Sequence, residues 1–431
     1  MSNVAYEPAQ PIEPDEPEVR EEAAPPREPH EIRPLPRISI QVFSETQDVA
    51  AAVEEASGDR RMSRTHVKLH SGGIPAATEF YTAAPTPNLI IVESSLSGEA
   101  LLTELEQLAN VCDAGSKVVV IGRVNDVRLY RELARRGVSE YIVSPVDSVQ
   151  LISTISDLYV DPGSEPLGRT IAFIGGKGGV GSSTVCHSVA FALAQNFGTD
   201  VLLADLDLAF GTAGLDFNQD PTQGIAEAIH SPERLDDVFL DRLLARCTDH
   251  LSLLAAPATL DRTFDLGETA IEPVIDLAQS SVPTVVLDLP HMWTSWVKRT
   301  LVAADEIVLT VEPDLANLRN AKNLLDLLRQ LRKHDRLPHL VINRAGLSKR
   351  PEIKTDEFAK ALDIAPAAII PFDAQLFGTA ANNGQVIAEV DPKNAITESF
   401  NKIAHTVSGR PEAPRNKRSS LFARLRGKRN G

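Results

Sequence analysis

Phe173-Ile-Gly-Gly-Lys-Gly-Gly-Val-Gly-Ser-Ser-Thr184 is the stretch on which the fold turns. An apolar run, TIAFIG, leads into a glycine loop. The loop opens into STVCHSVAFALAQNF, a segment with helical periodicity. In that context Gly176-x-x-x-x-Gly181 reads as a phosphate cradle. Its glycines let successive backbone N–H groups converge on phosphate oxygens, and the helix N-terminus adds its dipole. Ser183 stands where a hydroxyl ligates Mg²⁺, with Thr184 beside it. The lysine that grips the β- and γ-phosphates is replaced by Ser182. Serine can donate one hydrogen bond but brings no charge, and electrostatic stabilisation dominates phosphoryl transfer. The expectation is ATP bound with Mg²⁺ and turned over slowly at best.

Working outward, TIAFIG is the first of a series of apolar strands: DVLLADL, LSLLAA, TVVLDLP, EIVLTVE, HLVINR and AAIIPF, separated by helical segments. Upstream, RISIQVF, THVKLH, NLIIVES, KVVVIG and SEYIVSP alternate with five helical segments in the same way. Short β-rich runs alternating with 3.6-period segments predict parallel sheets covered by helices on both faces. The fold class is therefore α/β, with two doubly wound parallel-sheet domains, the first flavodoxin-like and the second a P-loop nucleotide-binding domain. The expected boundaries are a disordered acidic, proline-rich tail over 1–36, a first domain over 37–160, and a linker over 161–168. A second domain spans 169–407 and a basic tail 408–431.

Several motifs in the second domain fall in order at strand ends. They resemble the deviant Walker motifs of the MinD/ParA family, in which Lys177, early in KGGVG, matches a signature lysine that reaches the partner's phosphates across a nucleotide-sandwich dimer. The resemblance implies that Gly176, Lys177, Gly178, Gly179, Val180, Gly181, Ser182, Ser183 and Thr184 cradle the nucleotide. Asp205-Leu-Asp207 matches the family's DxD switch, with Asp207 the water-positioning aspartate and Asp205 near the metal. Asp288 in DLP matches Walker B, holding Mg²⁺ through water. Asn343-Arg344 matches the adenine-side motif, and Pro371 in IIPFD the second adenine loop. Asp207 and Lys177 are the residues expected to act in any hydrolysis. Taken singly, DLD is common, a strand-end aspartate often caps a helix, and a loop lysine is often only solvated.

The first domain resembles a response-regulator receiver without its chemistry. The third strand ends in Glu93 rather than an acceptor aspartate, the first is followed by Ser44-Glu45, and Ser144 precedes Pro145. Glu93 reads as an inert acid at a surface strand end or as a mimic of a phosphorylated state. A protein-interaction module is the expected role. This pairing of domains resembles the CpaE/TadZ family of Flp-type (tight-adherence) pilus assembly proteins. The runs DLPHMWTSWVKRTL, TVEPDLANLRNAKNLLDLLR and IPFDAQLFGTAANNGQVIAE carry that likeness. It implies a homodimer that marks a cell pole at the inner face of the cytoplasmic membrane and recruits the pilus secretion ATPase and other assembly proteins. The alternative is an active MinD/ParA-like ATPase that cycles on a membrane or acts in partitioning or positioning.

Charge narrows the partners. The net charge is −16, yet residues 1–36 hold nine acids against three bases and residues 408–431 eight bases against one acid. Specific nucleic-acid binding is not expected, because acids outnumber bases across the second domain. Three scattered cysteines give neither a disulfide framework nor a paired-cysteine metal site, which fits a cytoplasmic setting. In the tail, Leu421, Phe422 and Leu425 among arginines and lysines read either as a weak amphipathic anchor for an anionic membrane or as a solubilising segment. Trp293 and Trp296, three apart, are placed on one helical face, in the core or at a partner surface.

Overall fold

The computed structural model describes residues 32–159 and 167–410. Most of the acidic tail, most of the linker and residues 411–431, with the apolar cluster of the basic tail, lie outside the described residues. The first sheet is built from β1 (Ser39–Ser44), α1 (Gln47–Ser57), β2 (His66–Ser71), α2 (Gly73–Tyr81), β3 (Leu89–Glu93), α3 (Gly98–Ala109), β4 (Lys117–Gly122), α4 (Val127–Arg135), β5 (Glu140–Val143) and α5 (Ser148–Tyr159). Its order, β2-β1-β3-β4-β5, is flavodoxin-like, and every pair is parallel. α1 and α5 cover one face and α2, α3 and α4 the other.

The second sheet begins with β6 (Arg169–Gly175), α6 (Ser182–Phe197), β7 (Val201–Asp205), α7 (Ala213–Asp216), α8 (Ile225–His230), α9 (Asp237–Leu243), β8 (Ala245–Arg246) and β9 (Leu251–Leu254). It continues through α10 (Glu272–Ser281), β10 (Thr284–Asp288), α11 (Ser295–Ala303), β11 (Glu306–Val311), α12 (Leu315–Leu331) and β12 (His339–Ala345). α13 (Thr355–Leu362), β13 (Pro366–Pro371), α14 (Ala374–Asn383), α15 (Ile387–Val390) and α16 (Ala395–Ser408) complete it. The order is β13-β12-β11-β6-β10-β7-β9-β8, parallel except for the short β8–β9 pair. Alternation along β6 shows how the layers form: Ile171 and Phe173 pack with α6 and α16, whereas Ala172 and Ile174 pack with α11 and α12. No helix among the described residues is long and apolar enough to cross a membrane.

Three local readings change. The order extends back into the expected tail, because Ile32 and Leu35 are buried with the first core. Glu93 is not a surface acid: it is 4 % exposed. Its Oε2 accepts from Glu45 N and Thr46 N, both at 2.8 Å, and its Oε1 from the Thr46 hydroxyl at 2.7 Å. Glu45 reciprocates by accepting from Ser95 N at 2.9 Å. The two acids clasp the ends of β1 and β3, so Glu93 is spent on protein donors. The tryptophans do not share a helical face. Thr294 caps α11, leaving Trp293 in the preceding loop and 54 % exposed, while Trp296 is buried in the core.

The domains meet through arginines. A 3-10 turn, Arg60–Met62, inserts Arg60 and Arg61 against the C-terminal ends of α11 and α12. Asp335 Oδ2 lies 2.7 Å from Arg60 Nε and 3.3 Å from Arg332 Nε, and its Oδ1 also accepts from Arg61. Asp305 takes the other branch of Arg60 at 3.0 Å.

Candidate nucleotide site

β6 lies between β11 and β10, so the chain leaves its C-terminal end at the crevice where doubly wound sheets bind ligands. Gly181 there has φ +85°, and a Cβ on it would sit 2.6 Å from Asn343 Nδ2. Both the left-handed backbone and the close approach require glycine. The loop is braced from several elements. Asn343 Nδ2 donates to Val180 O at 2.8 Å, Asn320 Nδ2 to Gly176 O at 2.9 Å, and Gly176 N to Thr310 O at 2.8 Å. His291 Nδ1 lies 3.0 Å from Gly175 O.

Behind the loop is a buried acidic pair. Asp205 and Asp288 end neighbouring strands in direct register and are 0 % and 1 % exposed. Asp205 accepts from Ala213 N at 3.0 Å and Asp207 N at 3.2 Å. Burial raises its carboxyl, Asp288 adds to the rise, and His187 with the two amides opposes it; the balance is a pKa of about 7. His187, wholly buried on α6, stands between carboxylates. Its Nδ1 is 2.7 Å from Asp216 Oδ2, and its Nε2 is 3.2 Å from Asp288 Oδ2, an ion-pair distance without good hydrogen-bond direction. Burial alone would lower the imidazole pKa, but Asp216 and Asp288 outweigh it and raise it to about 10. Asp288 Oδ1 and Ser182 Oγ are buried with no hydrogen-bond partner among the described residues. Two unpartnered polar atoms beside a glycine cradle fit a Mg²⁺–phosphate group, since buried polar atoms otherwise cost about 1–3 kcal/mol each.

Beside the loop opens a cavity of about 330 Å³, lined among others by Thr184, Asp216, Asn343, Arg344, Phe372 and Phe377. Arg344 is held by Glu312 at 3.0 Å and faces the Phe372 ring at 6.0 Å. Pro371 ends β13 next to this wall but is not part of the lining, where Phe372 takes its place. Asn343 is 4 % exposed, and its amide nitrogen braces the loop. Ser183 and Thr184 are half-buried in the first turn of α6, Val180 is buried, and Gly178 and Gly179 form the exposed tip. Lys177 is apart from the acidic pair: its half-exposed ammonium lies 3.7 Å from Asp314 Oδ2, the N-cap of α12. Asp207 is half-buried and accepts from Phe210 N at 3.1 Å.

Residues 168–342 match the family model of an AAA domain. The septum site-determining protein MinD of Bacillus subtilis is 28 % identical over 258 residues, 56 % of this chain and 90 % of that protein. A ParA family ATPase from Chlorobium tepidum is 26 % identical, with a TM-score of 0.51 over 55 % of this chain and 98 % of that one. The second domain is of the MinD/ParA type. A pilus assembly protein CpaE from Caulobacter crescentus is 46 % identical over 30 % of this chain and 98 % of that chain, with a TM-score of 0.29. Identity at that level across nearly a whole chain decides the kinship. The chain belongs to the CpaE family.

Reading the sequence of this family member missed His187, Asp216, Asn320, His291 and Asp314. His187 had one signal: it lies four residues after Ser183 and so on the same helical face. Asn320 and Asp314 lie in TVEPDLANLRNAKN, quoted for its family likeness and not for a role. Asp216 and His291 follow motifs at distances that only the fold brings back to the loop.

Proposed function

We propose that this chain is an ATP-binding, dimerising scaffold for assembly of a Flp (tight-adherence) pilus, with ATP serving mainly to hold the dimer. The observation that carries this is the pairing of Ser182, half-buried and uncharged at the lysine position, with Lys177 at the loop mouth. Among the described residues Lys177 meets a weak, partly exposed ion pair with Asp314, which it can exchange for another anion. ATP would be held by the backbone of 176–181, its base in the cavity beside Asn343 and Arg344. Mg²⁺ would sit against Ser183, with Asp288 acting through water and Asp205 behind it. The metal supplies charge neutralisation at the phosphates. Asp207, turned onto Phe210 N, would have to leave that contact to orient a water.

Identity to a pilus assembly protein supports the pilus role. The homodimer, the pilus secretion ATPase as partner, and a cell-pole location at the inner face of the cytoplasmic membrane follow from that family reading. The receiver-like domain would serve as the interaction module, its Glu93 carboxylate being taken up by Glu45 N and Thr46. Purified chain incubated with Mg²⁺ and radiolabelled ATP tests the proposal. Most bound nucleotide should be recovered as ATP after many minutes. Recovery chiefly as ADP would favour the cycling ATPase instead.

A further inference from the structure

We propose that His187 is a positioning residue of the nucleotide site, pinning one oxygen of Asp288 and tying α7 to it through the same ring. The inference rests on the Mg²⁺–ATP reading of the loop. His187 follows Ser183 by one helical turn, so it shares a helical face with the hydroxyl expected to meet the metal. Asp288 Oδ2 lies at ion-pair distance, 3.2 Å, from His187 Nε2, and among the described residues Oδ1 of the same carboxylate is buried without a hydrogen-bond partner. A carboxylate held by one oxygen presents the other in a single orientation, which is what a contact through a metal-bound water needs. Partners of this kind change metal affinity by about 10–100-fold when removed.

The second nitrogen gives the ring a further consequence. α7 is fastened at one end to Asp205 and at the other to His187: Ala213 N donates to Asp205 at 3.0 Å, and Asp216 reaches His187 at 2.7 Å. Asp216 also lines the cavity beside the loop. The segment that begins at Asp205 therefore returns to Asp288 through His187. A group drawn onto Asp288 pulls on α7 by way of one buried side chain.

The test uses the full chain and a fluorescent N-methylanthraniloyl ATP, titrated with and without Mg²⁺. His187→Ala should cut the Mg²⁺-dependent gain in affinity by about 10–100-fold and leave Mg²⁺-free affinity nearly unchanged. Two further variants separate positioning from packing. In His187→Gln the amide nitrogen reaches the place of Nε2, so the Asp288 contact and most of the Mg²⁺ gain are kept. In His187→Asn the amide reproduces only the Nδ1 side, and the gain is lost. The Gln–Asn comparison stands even where the Ala variant fails to fold. Equal losses with and without Mg²⁺ in every variant, or rescue by Asn and not Gln, would overturn the assignment. Absence of labelled-ATP binding by the unsubstituted chain would overturn the nucleotide reading itself, before any variant is compared.

Discussion

Replacing Asp335 by alanine should loosen the joint between the two domains. Its carboxylate contacts Arg60, Arg61 and Arg332, whose side chains are 2 %, 1 % and 3 % exposed. Asp305 and Asp59 stay behind to serve Arg60 and Arg61, and Arg332 keeps the carbonyls of Ala304 and Asp305. Removing one member of a buried pair costs about 3–5 kcal/mol, because the remaining charge has lost its compensation. Three cations share this anion, so the upper part of that range is expected. At about 2–4 °C per kcal/mol for a domain of this size, the first calorimetric transition should fall by roughly 8–20 °C. Lys333→Ala is the matched control: Lys333 is 62 % exposed at the same joint and 3.7 Å from Glu55, a contact worth about 0–1 kcal/mol. Scanning calorimetry of the full chain reads both. If Asp335→Ala melts within a degree or two of Lys333→Ala, the buried network does not hold the domains together.

Other outcomes follow from the same geometry. Ser182→Lys should raise ATP turnover by about 10²-fold or more, since it restores a charge where transition-state negative charge collects; an unchanged rate in a phosphate-release assay would remove Ser182 as the cause of slow hydrolysis. Glu93→Ala should destabilise the first domain by about 2–4 kcal/mol in chemical denaturation, because it strands the amides of Glu45 and Thr46; a change below about 0.5 kcal/mol would mean the clasp is ornamental. Acid should open the joint through Asp335. Burial alone would raise that carboxyl, but Arg60, Arg332 and Arg61 outweigh it and hold it below its ordinary 3.8. A depressed carboxylate stabilises above its unfolded pKa and loses that contribution as pH falls through the folded one, so the loss comes below about pH 3.8. The radius of gyration by X-ray scattering should rise there, and in Asp335→Asn the chain should already be looser at neutral pH with a flatter acid response.

What the sequence disclosed was what local chemistry writes along the chain. A glycine loop between an apolar strand and a periodic helix marked the candidate site, and strand-end positions singled out Asp205 and Asp288. Their register as neighbours followed from β10 lying beside β7. The Trp293–Trp296 pair was misread because spacing alone does not say where a helix begins; Thr294 caps it one residue too late to include Trp293. Glu93 looked like a strand-end acid, since the donors that bury it come from a loop about 48 residues earlier. The Arg60–Asp335 joint, 275 residues apart in sequence, has no local signal at all. His187 sits between these cases, on the right helical face but with partners that arrive from β10 and α7.

The central claim is that ATP holds two copies together through Lys177. Size-exclusion chromatography with light scattering, run with Mg²⁺ and ATP on the unsubstituted chain and on Lys177→Ala, tests it most directly. The unsubstituted chain should elute as a dimer carrying ATP, and Lys177→Ala as a monomer. A dimer that persists without ATP, or in Lys177→Ala, would contradict the account.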